Sequence, residues 1–195
     1  EVFTKKIKEY SLGQLEKKFI HNVTLTSLRN NFIIKEIVNT YLNKKKLTTD
    51  QYLILLSGIN QIVFLNIKEY AVIFTMVELS KKKGFKSDPS LTNAILRKVV
   101  KNKDDLKLKK TKFELLPAWF KLNVNDWNSN TKVNFLNSIR LQPELNIVFK
   151  NETDFKKFKT KGVNTSLKSI SLSSFENIGD LPDYEKGTWW VQDYS

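Results

Sequence analysis

A group of basic residues follows a strong helical pattern in this chain and could bind phosphate. Lys98, Lys101 and Lys103 form either a phosphate-binding edge or a solvated helix end. Arg97 either contacts a polyanion directly, or complements the dipole of its own helix and pairs with a neighbouring carboxylate. Together with Arg29, these residues are the candidates for contact with an anionic ligand.

Other side chains could contact nucleic acid bases, and each also has a structural interpretation. Asn93 is either a packing and hydrogen-bonding residue or a base reader. His21 is the only histidine, and without a partner motif we expect it to be a structural or surface residue. The tryptophans could stack on bases, although packing is their more common role: Trp119, Trp127, Trp189 and Trp190. Trp189 and Trp190 alternate faces on a predicted strand, so one of them should point away from its own core.

The sequence offers little for catalysis. It contains no cysteine, which excludes disulfides, thiolate metal sites and a cysteine nucleophile. It has no Walker loop, no Gly-x-Gly-x-x-Gly, no His-Glu-x-x-His and no nucleophile elbow. Its six glycines are scattered singly and form no cofactor-binding turn. We therefore expect no catalytic, cofactor-binding or metal-binding residue, and no enzymatic activity from this chain alone.

The net charge favours a polyanionic partner, with RNA as the leading candidate. The 33 basic and 20 acidic residues give a net charge of +13. Only Arg29, Arg97 and Arg140 are arginines, and a surface dominated by lysine supports diffuse attraction better than specific readout. The basicity is therefore either functional or a product of base-composition drift and solubility. No apolar run reaches the roughly 18 residues of a membrane span and no signal peptide opens the chain, so we expect a cytoplasmic protein. We also expect it to be a monomer.

The first hundred residues predict a compact all-α bundle. Apolar residues at helical spacing form one stripe from Ile34 to Leu42 and another from Tyr52 to Val63. Thr48-Thr-Asp-Gln51 has the form of a capping box, and Asp88-Pro89 is a second helix start, followed by Leu91, Ile95 and Val99. Gly84 lies where a helix from about Glu69 should end.

After residue 105 the pattern changes and predicts a small α/β layer. The segment from Lys107 to Lys112 has no helical stripe and makes a plausible linker. Ile147 to Phe149 suit a buried strand, and Thr153 could cap a short helix that carries Phe155 and Phe158 and stops at Gly162. Two further strands are predicted: Ile170 and Leu172 alternating with Ser169, Ser171 and Ser173 as in a half-buried strand, and Thr188 to Gln192.

Several motifs resemble the Sun/Fmu (RsmB-type) family of 16S ribosomal RNA cytosine-5 methyltransferases. Thr92-Asn-Ala-Ile-Leu-Arg97 is similar to the family's Val-Asn-Ala-Val-Leu-Arg, and Val191-Gln-Asp193 to the strand that leads into its methyltransferase domain. Gly58 to Leu65 resembles the family's central helix, and Leu116-Pro-Ala-Trp119 its Pro-x-Trp feature. The chain departs from the family at Leu145 to Lys150, where an Arg and an Asn are usual.

The resemblance implies an α+β multidomain chain. A NusB-like helical RNA-binding domain would occupy residues 1–105, a small α/β RNA-recognition-like domain residues 106–187, and a strand at 188–195 would lead into a Rossmann-like methyltransferase domain that this chain lacks. The family's cysteine nucleophile and S-adenosylmethionine site would then lie beyond Ser195. The absence of an initiator methionine leads us to expect that the N-terminus is trimmed as well.

Three functions from different classes remain open at this point. The resemblance implies the RNA-binding N-terminal region of an S-adenosylmethionine-dependent 16S ribosomal RNA methyltransferase, which docks and presents RNA. The alternative is a non-catalytic NusB-like RNA-binding factor in transcription antitermination or ribosome assembly. A third interpretation is a protein-interaction module whose basicity is incidental, which salt-dependent RNA binding would separate from the other two.

Overall fold

The computed structural model divides the chain into two compact units, named here the helical unit (Glu1–Leu141) and the sheet unit (Gln142–Ser195). Each unit has its own buried apolar core. The structure describes residues 5–7, 9–42, 46–109, 112–141, 143–158, 163–165, 168–172 and 178–192.

The longest described helix of the helical unit, α1, has 28 residues. Shorter helices follow it along the chain. The bounds are α1 Gln14–Tyr41, α2 Thr49–Val63, α3 Glu69–Lys81, α4 Pro89–Lys101, α5 Lys103–Leu108, α6 Ala118–Asn123 and α7 Ser129–Ser138, with a 3-10 turn at Phe113–Leu115.

The apolar stripes read from the sequence form the core of this unit, as predicted. Burial of an aliphatic side chain of this size contributes about 1.5–3 kcal/mol, so these contacts hold the helices together. The stripe residues that are at most 2% exposed are Ile34, Ile37, Val38, Leu55, Ile59, Val63, Ile95 and Val99.

The predicted helix starts are confirmed, but one polar side chain has another role. Thr48 Oγ1 accepts a hydrogen bond from the Gln51 N–H at 3.1 Å, and Asp88 Oδ1 accepts from the N–H of Ser90 at 2.8 Å. A capping box would turn the Gln51 side chain back to Thr48. Instead Gln51 Oε1 accepts from the Asp88 N–H at 2.6 Å, and its Nε2 donates to Thr92 Oγ1 at 2.8 Å. Gln51 therefore joins α2 to α4.

Gly58 allows α2 to lie close to the next two helices. A Cβ atom at this position would lie 2.9 Å from Leu96 Cδ2 and 3.1 Å from Met76 Cγ. Both distances are shorter than an ordinary van der Waals contact. The absence of a side chain at Gly58 thus lets Leu96 and Met76 pack directly against the backbone of α2. Gly84, in the connection between α3 and α4, has a φ of 97°, as expected for a glycine after a helix end.

Residues 106–141 are grouped with the helical unit by their contacts. Leu106 is 6% exposed and belongs to the core, and Asp104 and Asp105 favour a helix start, so α5 extends into the segment predicted to be a linker. Arg140 donates from Nη1 to the Lys109 carbonyl at 2.8 Å and from Nε to Asn30 Oδ1 at 3.1 Å. The domain boundary after residue 105 stays a prediction.

The described elements of the sheet unit are β1 Leu145–Phe149, α8 Glu152–Lys157, β2 Val163–Thr165, β3 Ser169–Leu172 and β4 Trp189–Val191, with a 3-10 turn at Ile178–Asp180. The strands form a four-stranded antiparallel sheet in the order β2-β3-β1-β4. Ile147 pairs with Ile170 and Phe149 with Trp189, which places these apolar residues on one face. Helix α8 covers that face, with the Phe155 and Phe158 rings 5.6 and 5.0 Å from that of Phe149.

The predicted fold class is confirmed, and two of its local details are wrong. The cap of α8 is Asn151, whose Oδ1 accepts from the Asp154 N–H at 2.9 Å, because the helix starts one residue before Thr153. Ser169 and Ser171 are buried and not solvent-facing, so β3 is covered on both sides. The predicted roles of Gly162 and Ser173 lie outside the described residues.

Among the described helices, none combines the length and apolar character needed to cross a membrane.

Candidate nucleic-acid interface

Three of the predicted phosphate contacts lie on the exposed side of α4. Arg97, Lys98 and Lys101 are all exposed. Arg97 donates from Nε to Asn93 Oδ1, one turn earlier, at 3.0 Å. Within the part of the chain that the structure describes, no carboxylate forms an ion pair with Arg97. Of the alternatives for Arg97, pairing with a carboxylate is not seen among these residues; the neutral amide of Asn93 is the hydrogen-bonding partner that orients the guanidinium.

Lys103 differs from the other three because it is bound within the helical unit. Its side chain is 19% exposed, and its Nζ lies 2.8 Å from Glu69 Oε1 and 2.7 Å from Asn66 Oδ1. The hydrogen bond from Lys103 is the main cause that holds the pKa of the Glu69 carboxyl below its usual value of 4.5. The expectation that Lys103 is freely exposed is wrong, since it pairs with a carboxylate 34 residues away.

A groove of about 690 Å³ runs between α3 and α4, beside Arg97. Two aromatic residues of α3, Tyr70 and Phe74, border it and are 77% and 68% exposed. They lie off the inward stripe of α3, formed by Val72, Met76 and Ser80. This groove was not predicted from the sequence, although apolar residues on a second face of α3 were a readable signal. Its lining is Tyr70, Ile73, Phe74, Val77, Glu78, Lys81, Pro89, Ser90, Asn93 and Arg97.

Further exposed lysines lie in the α3–α4 connection, outside the lining of the groove. Lys82, Lys83 and Lys86 are exposed there. Lys81 forms an ion pair with Glu78 at 2.6 Å. The connection itself is fixed, because the Lys86 N–H donates to Asp50 Oδ2 at 2.9 Å. The cations that line the groove are therefore Lys81 and Arg97, together with the rings of Tyr70 and Phe74.

Arg29 lies on α1 and is half-buried beside a different cavity. This cavity has a volume of about 240 Å³ and an almost wholly apolar lining. The structure therefore does not bring Arg29 into the groove that holds Arg97. The lining consists of Leu28, Arg29, Phe32, Leu116, Pro117, Trp119, Phe120, Phe135 and Ile139.

Arg140, the third arginine, has a structural environment. Its guanidinium lies 5.5 Å from the centre of the Phe64 ring, besides its two hydrogen bonds to Asn30 and Lys109. Partial burial lowers the pKa of Arg140 from its usual value, but an arginine remains charged at neutral pH. These contacts connect the last part of the helical unit to α1 and to the end of α2.

The tryptophans and the histidine differ in their exposure. Trp127 packs at 5.4 Å from the Phe135 ring, whereas Trp119 is 65% exposed. Trp189 is buried and Trp190 is 46% exposed, which confirms that they alternate faces on β4. His21 is exposed on α1. No group of His, Asp and Glu residues suited to a metal ion occurs in the described ranges.

Comparison with known proteins identifies the helical unit. The model of the NusB family matches residues 2–101, which include α1 to α4 and the whole of the groove. The chain is also similar to the transcription antitermination protein NusB of Buchnera aphidicola subsp. Cinara cedri (strain Cc), with 30% identity over 105 residues, or 52% of this chain and 72% of that protein. The predicted NusB-like helical domain is confirmed, and the sheet unit lies outside the family match. The chain belongs to the NusB family.

Proposed function

We propose that this chain binds structured RNA through the exposed cationic side of α4. The observation that carries the proposal is Arg97, which is exposed, oriented by Asn93, and paired with no carboxylate of the described residues. A guanidinium in this state can form two parallel hydrogen bonds to a phosphate. Lys98 and Lys101 add charge on the same helix, and the net charge of +13 favours a polyanion.

The favoured role is that of a non-catalytic RNA-binding factor in transcription antitermination. The similar Buchnera protein carries that function in its name, and the chain covers 72% of it. The chain has no cysteine for covalent attack on a base, and its glycines form no cofactor-binding cluster. In this role the protein would act by holding RNA, and it would need no cofactor.

A second candidate is the RNA-docking region of a 16S ribosomal RNA cytosine-5 methyltransferase. The observation that favours it is the sheet unit, which follows the family match and has its own core. Trp190 is exposed on β4, directly before the residues that resemble the methyltransferase family. In this role S-adenosylmethionine and the reacting cysteines would belong to a further domain, and this chain would present the RNA.

RNA binding is tested by fluorescence anisotropy with a labelled fragment of small-subunit ribosomal RNA. We expect binding at low salt that weakens steeply as salt rises, because phosphate neutralisation releases counterions. The logarithm of the association constant should fall linearly with the logarithm of the salt concentration. Absence of binding at low salt would refute the proposal and favour a protein-interaction module.

Two measurements separate the two roles. The first is the reading frame downstream of Ser195: a continuation with a glycine-rich cofactor loop and two cysteines supports the methyltransferase role, and a stop codon favours the antitermination role. The second is an in-vitro transcription assay with a terminator. Increased read-through on addition of this chain supports the antitermination role, whereas unchanged read-through together with RNA binding favours the methyltransferase role.

A further inference from the structure

We infer that the apolar cavity beside Arg29 binds a small aromatic carboxylate, with the ring of the ligand inside the cavity and its carboxylate on the guanidinium. This cavity of about 240 Å³ shares no lining residue with the groove beside Arg97, and the inference does not depend on RNA binding. Six of its nine lining residues lie outside the family match. Most of the site is therefore built from parts of the chain that the family domain does not include.

Aromatic rings form much of the cavity wall. Phe120 of α6 and Phe135 of α7 stack on each other, with their ring centres 4.9 Å apart. Trp127, which is not part of the lining, packs edge-on against both rings, at 6.0 and 5.4 Å. These ring contacts hold the two phenylalanines in place.

Helix α1 supplies three further lining residues, which lie beside its core stripe. Leu28, Arg29 and Phe32 are separated by at most four residues and share one side of the helix. Leu28 and Trp119 of α6 are each 65% exposed, so the cavity is open to solvent. Large apolar side chains left exposed around a concave site are typical of a binding surface.

Arg29 is the one charged residue of this lining, and its guanidinium is available to a ligand. Within the described ranges, no group forms a hydrogen bond or an ion pair with its side chain. Arg140, by contrast, uses its donors on Asn30 and Lys109. A half-buried guanidinium without a partner favours an anion, and its planar fork matches a carboxylate through two parallel hydrogen bonds.

The chemistry of the lining selects an apolar ring with a single negative charge. The other eight lining residues are aliphatic or aromatic, so a polar ligand body would lose its hydrogen bonds to water. One cation balances one negative charge, which favours a carboxylate over a phosphate group with nearly two charges. An apolar cavity of about 150 Å³ holds one benzene ring. The volume of about 240 Å³ therefore suits a molecule of one or two rings.

The test is isothermal titration calorimetry of the full 195-residue chain with indole-3-acetate and with indole-3-acetamide. The two probes have the same shape, but only the acetate is charged. We expect the acetate to bind about 5- to 10-fold more tightly, because hydrogen bonds to an ionised group are roughly twice as strong as neutral ones. Arg29→Gln should remove this preference. Lys18→Gln, the matched control, removes an exposed cation of α1 outside the lining and should retain it.

Trp119→Ala tests the contribution of the ring wall. We expect it to weaken both probes by a similar factor of about 3 to 10 and to keep the preference for the acetate. Trp190→Ala is its control, since Trp190 is 46% exposed on β4 and lies outside the lining. Circular dichroism confirms that each variant is folded. Equal affinities of the two probes, no binding of either probe to the unchanged chain, or a preference that survives Arg29→Gln would each overturn the inference.

Discussion

Arg97 combines exposure with a fixed direction, and this makes it the residue whose loss should most directly affect RNA binding. We expect Arg97→Gln to weaken binding of structured RNA several-fold and to lower the salt slope by about 1, because one phosphate contact is removed. Anisotropy titrations at several salt concentrations measure both quantities. Lys35→Gln is the matched control, since Lys35 is an exposed cation on α1, away from the groove.

Asn93 should act on RNA by orienting Arg97 and not through a contact of its own. Asn93→Ala removes the 3.0 Å hydrogen bond to Arg97 Nε, and we expect a smaller loss of affinity than for Arg97→Gln with the salt slope retained. A salt slope that is unchanged in Arg97→Gln would place the main phosphate contact elsewhere on the helical unit.

The Lys103–Glu69 pair predicts a pH-dependent contribution to stability. The lowered pKa of Glu69 means that the pair stabilises the folded state above about pH 4.5, and this stabilisation is lost as the pH falls through the lowered value. Lys103→Met should therefore lower the thermal midpoint at pH 7, and the difference from the unchanged chain should shrink below pH 4.5. Circular dichroism melts between pH 7 and pH 3 measure this.

Lys156→Met is the control for this experiment. Lys156 lies 3.6 Å from Glu152 in an exposed pair of the sheet unit, where solvent screens the charges. Its replacement should change the midpoint little at any pH. A Lys103→Met difference that is the same at pH 7 and at pH 3 would mean that the loss comes from packing and not from the ion pair.

The sequence could place the candidate cations on α4 but could not give their partners. Helical spacing depends on neighbouring residues, so the exposure of Arg97, Lys98 and Lys101 was predictable. The pairing of Lys103 with Glu69 depends on how α3 packs near the start of α5, which a local pattern does not contain. For the same reason the groove between α3 and α4 was not predicted: the second apolar face of α3 can be read from the sequence, but the helix that lies beside it cannot.

A buried polar network holds α2, α3 and α4 in the arrangement that forms the groove. Thr92 Oγ1 accepts from Gln51 Nε2 at 2.8 Å, donates to the Asp88 carbonyl at 3.0 Å, and lies 2.9 Å from Ser80 Oγ. Thr92→Val keeps the shape but leaves the Gln51 amide without this acceptor. We expect a loss of about 1–3 kcal/mol in the free energy of unfolding, measured by urea titration.

Thr75→Val is the matched control for the network. Thr75 is exposed on α3 and donates only to the Ala71 carbonyl of its own helix, at 2.8 Å. Its replacement should change the free energy of unfolding by less than about 0.5 kcal/mol, as is usual at the surface. Equal effects of the two substitutions would show that the network does not hold the three helices.

The elements themselves were largely predictable, because their signals are local. Asp88-Pro89 and Thr48 start helices through atoms within three residues. What the sequence could not give is tertiary. The side chain of Gln51 bonds to residues about 40 positions away, and Ser171, predicted to face solvent, is buried and donates to Glu144.

The whole chain combines a family domain of about half its length with residues outside the family match. The match ends at residue 101, but the helical unit continues to Leu141. The bond of Arg140 to Asn30 and the ion pair between Lys112 and Glu36 at 2.9 Å join the added part to α1. The bond of Arg140 to Lys109 lies within the added part. We therefore propose that residues 106–141 support the family domain and do not begin an independent one.

Two shortened chains test this proposal against the sequence-based boundary after residue 105. A chain of residues 1–105 loses Leu106, which is 6% exposed in the core, together with the bonds made by Arg140. Removal of a buried leucine side chain alone costs about 2–5 kcal/mol. A chain of residues 1–141 keeps all of these contacts. We expect it to unfold in one transition, at a clearly higher urea concentration than residues 1–105. Equal midpoints for the two chains would contradict the proposal and support a domain boundary at residue 105.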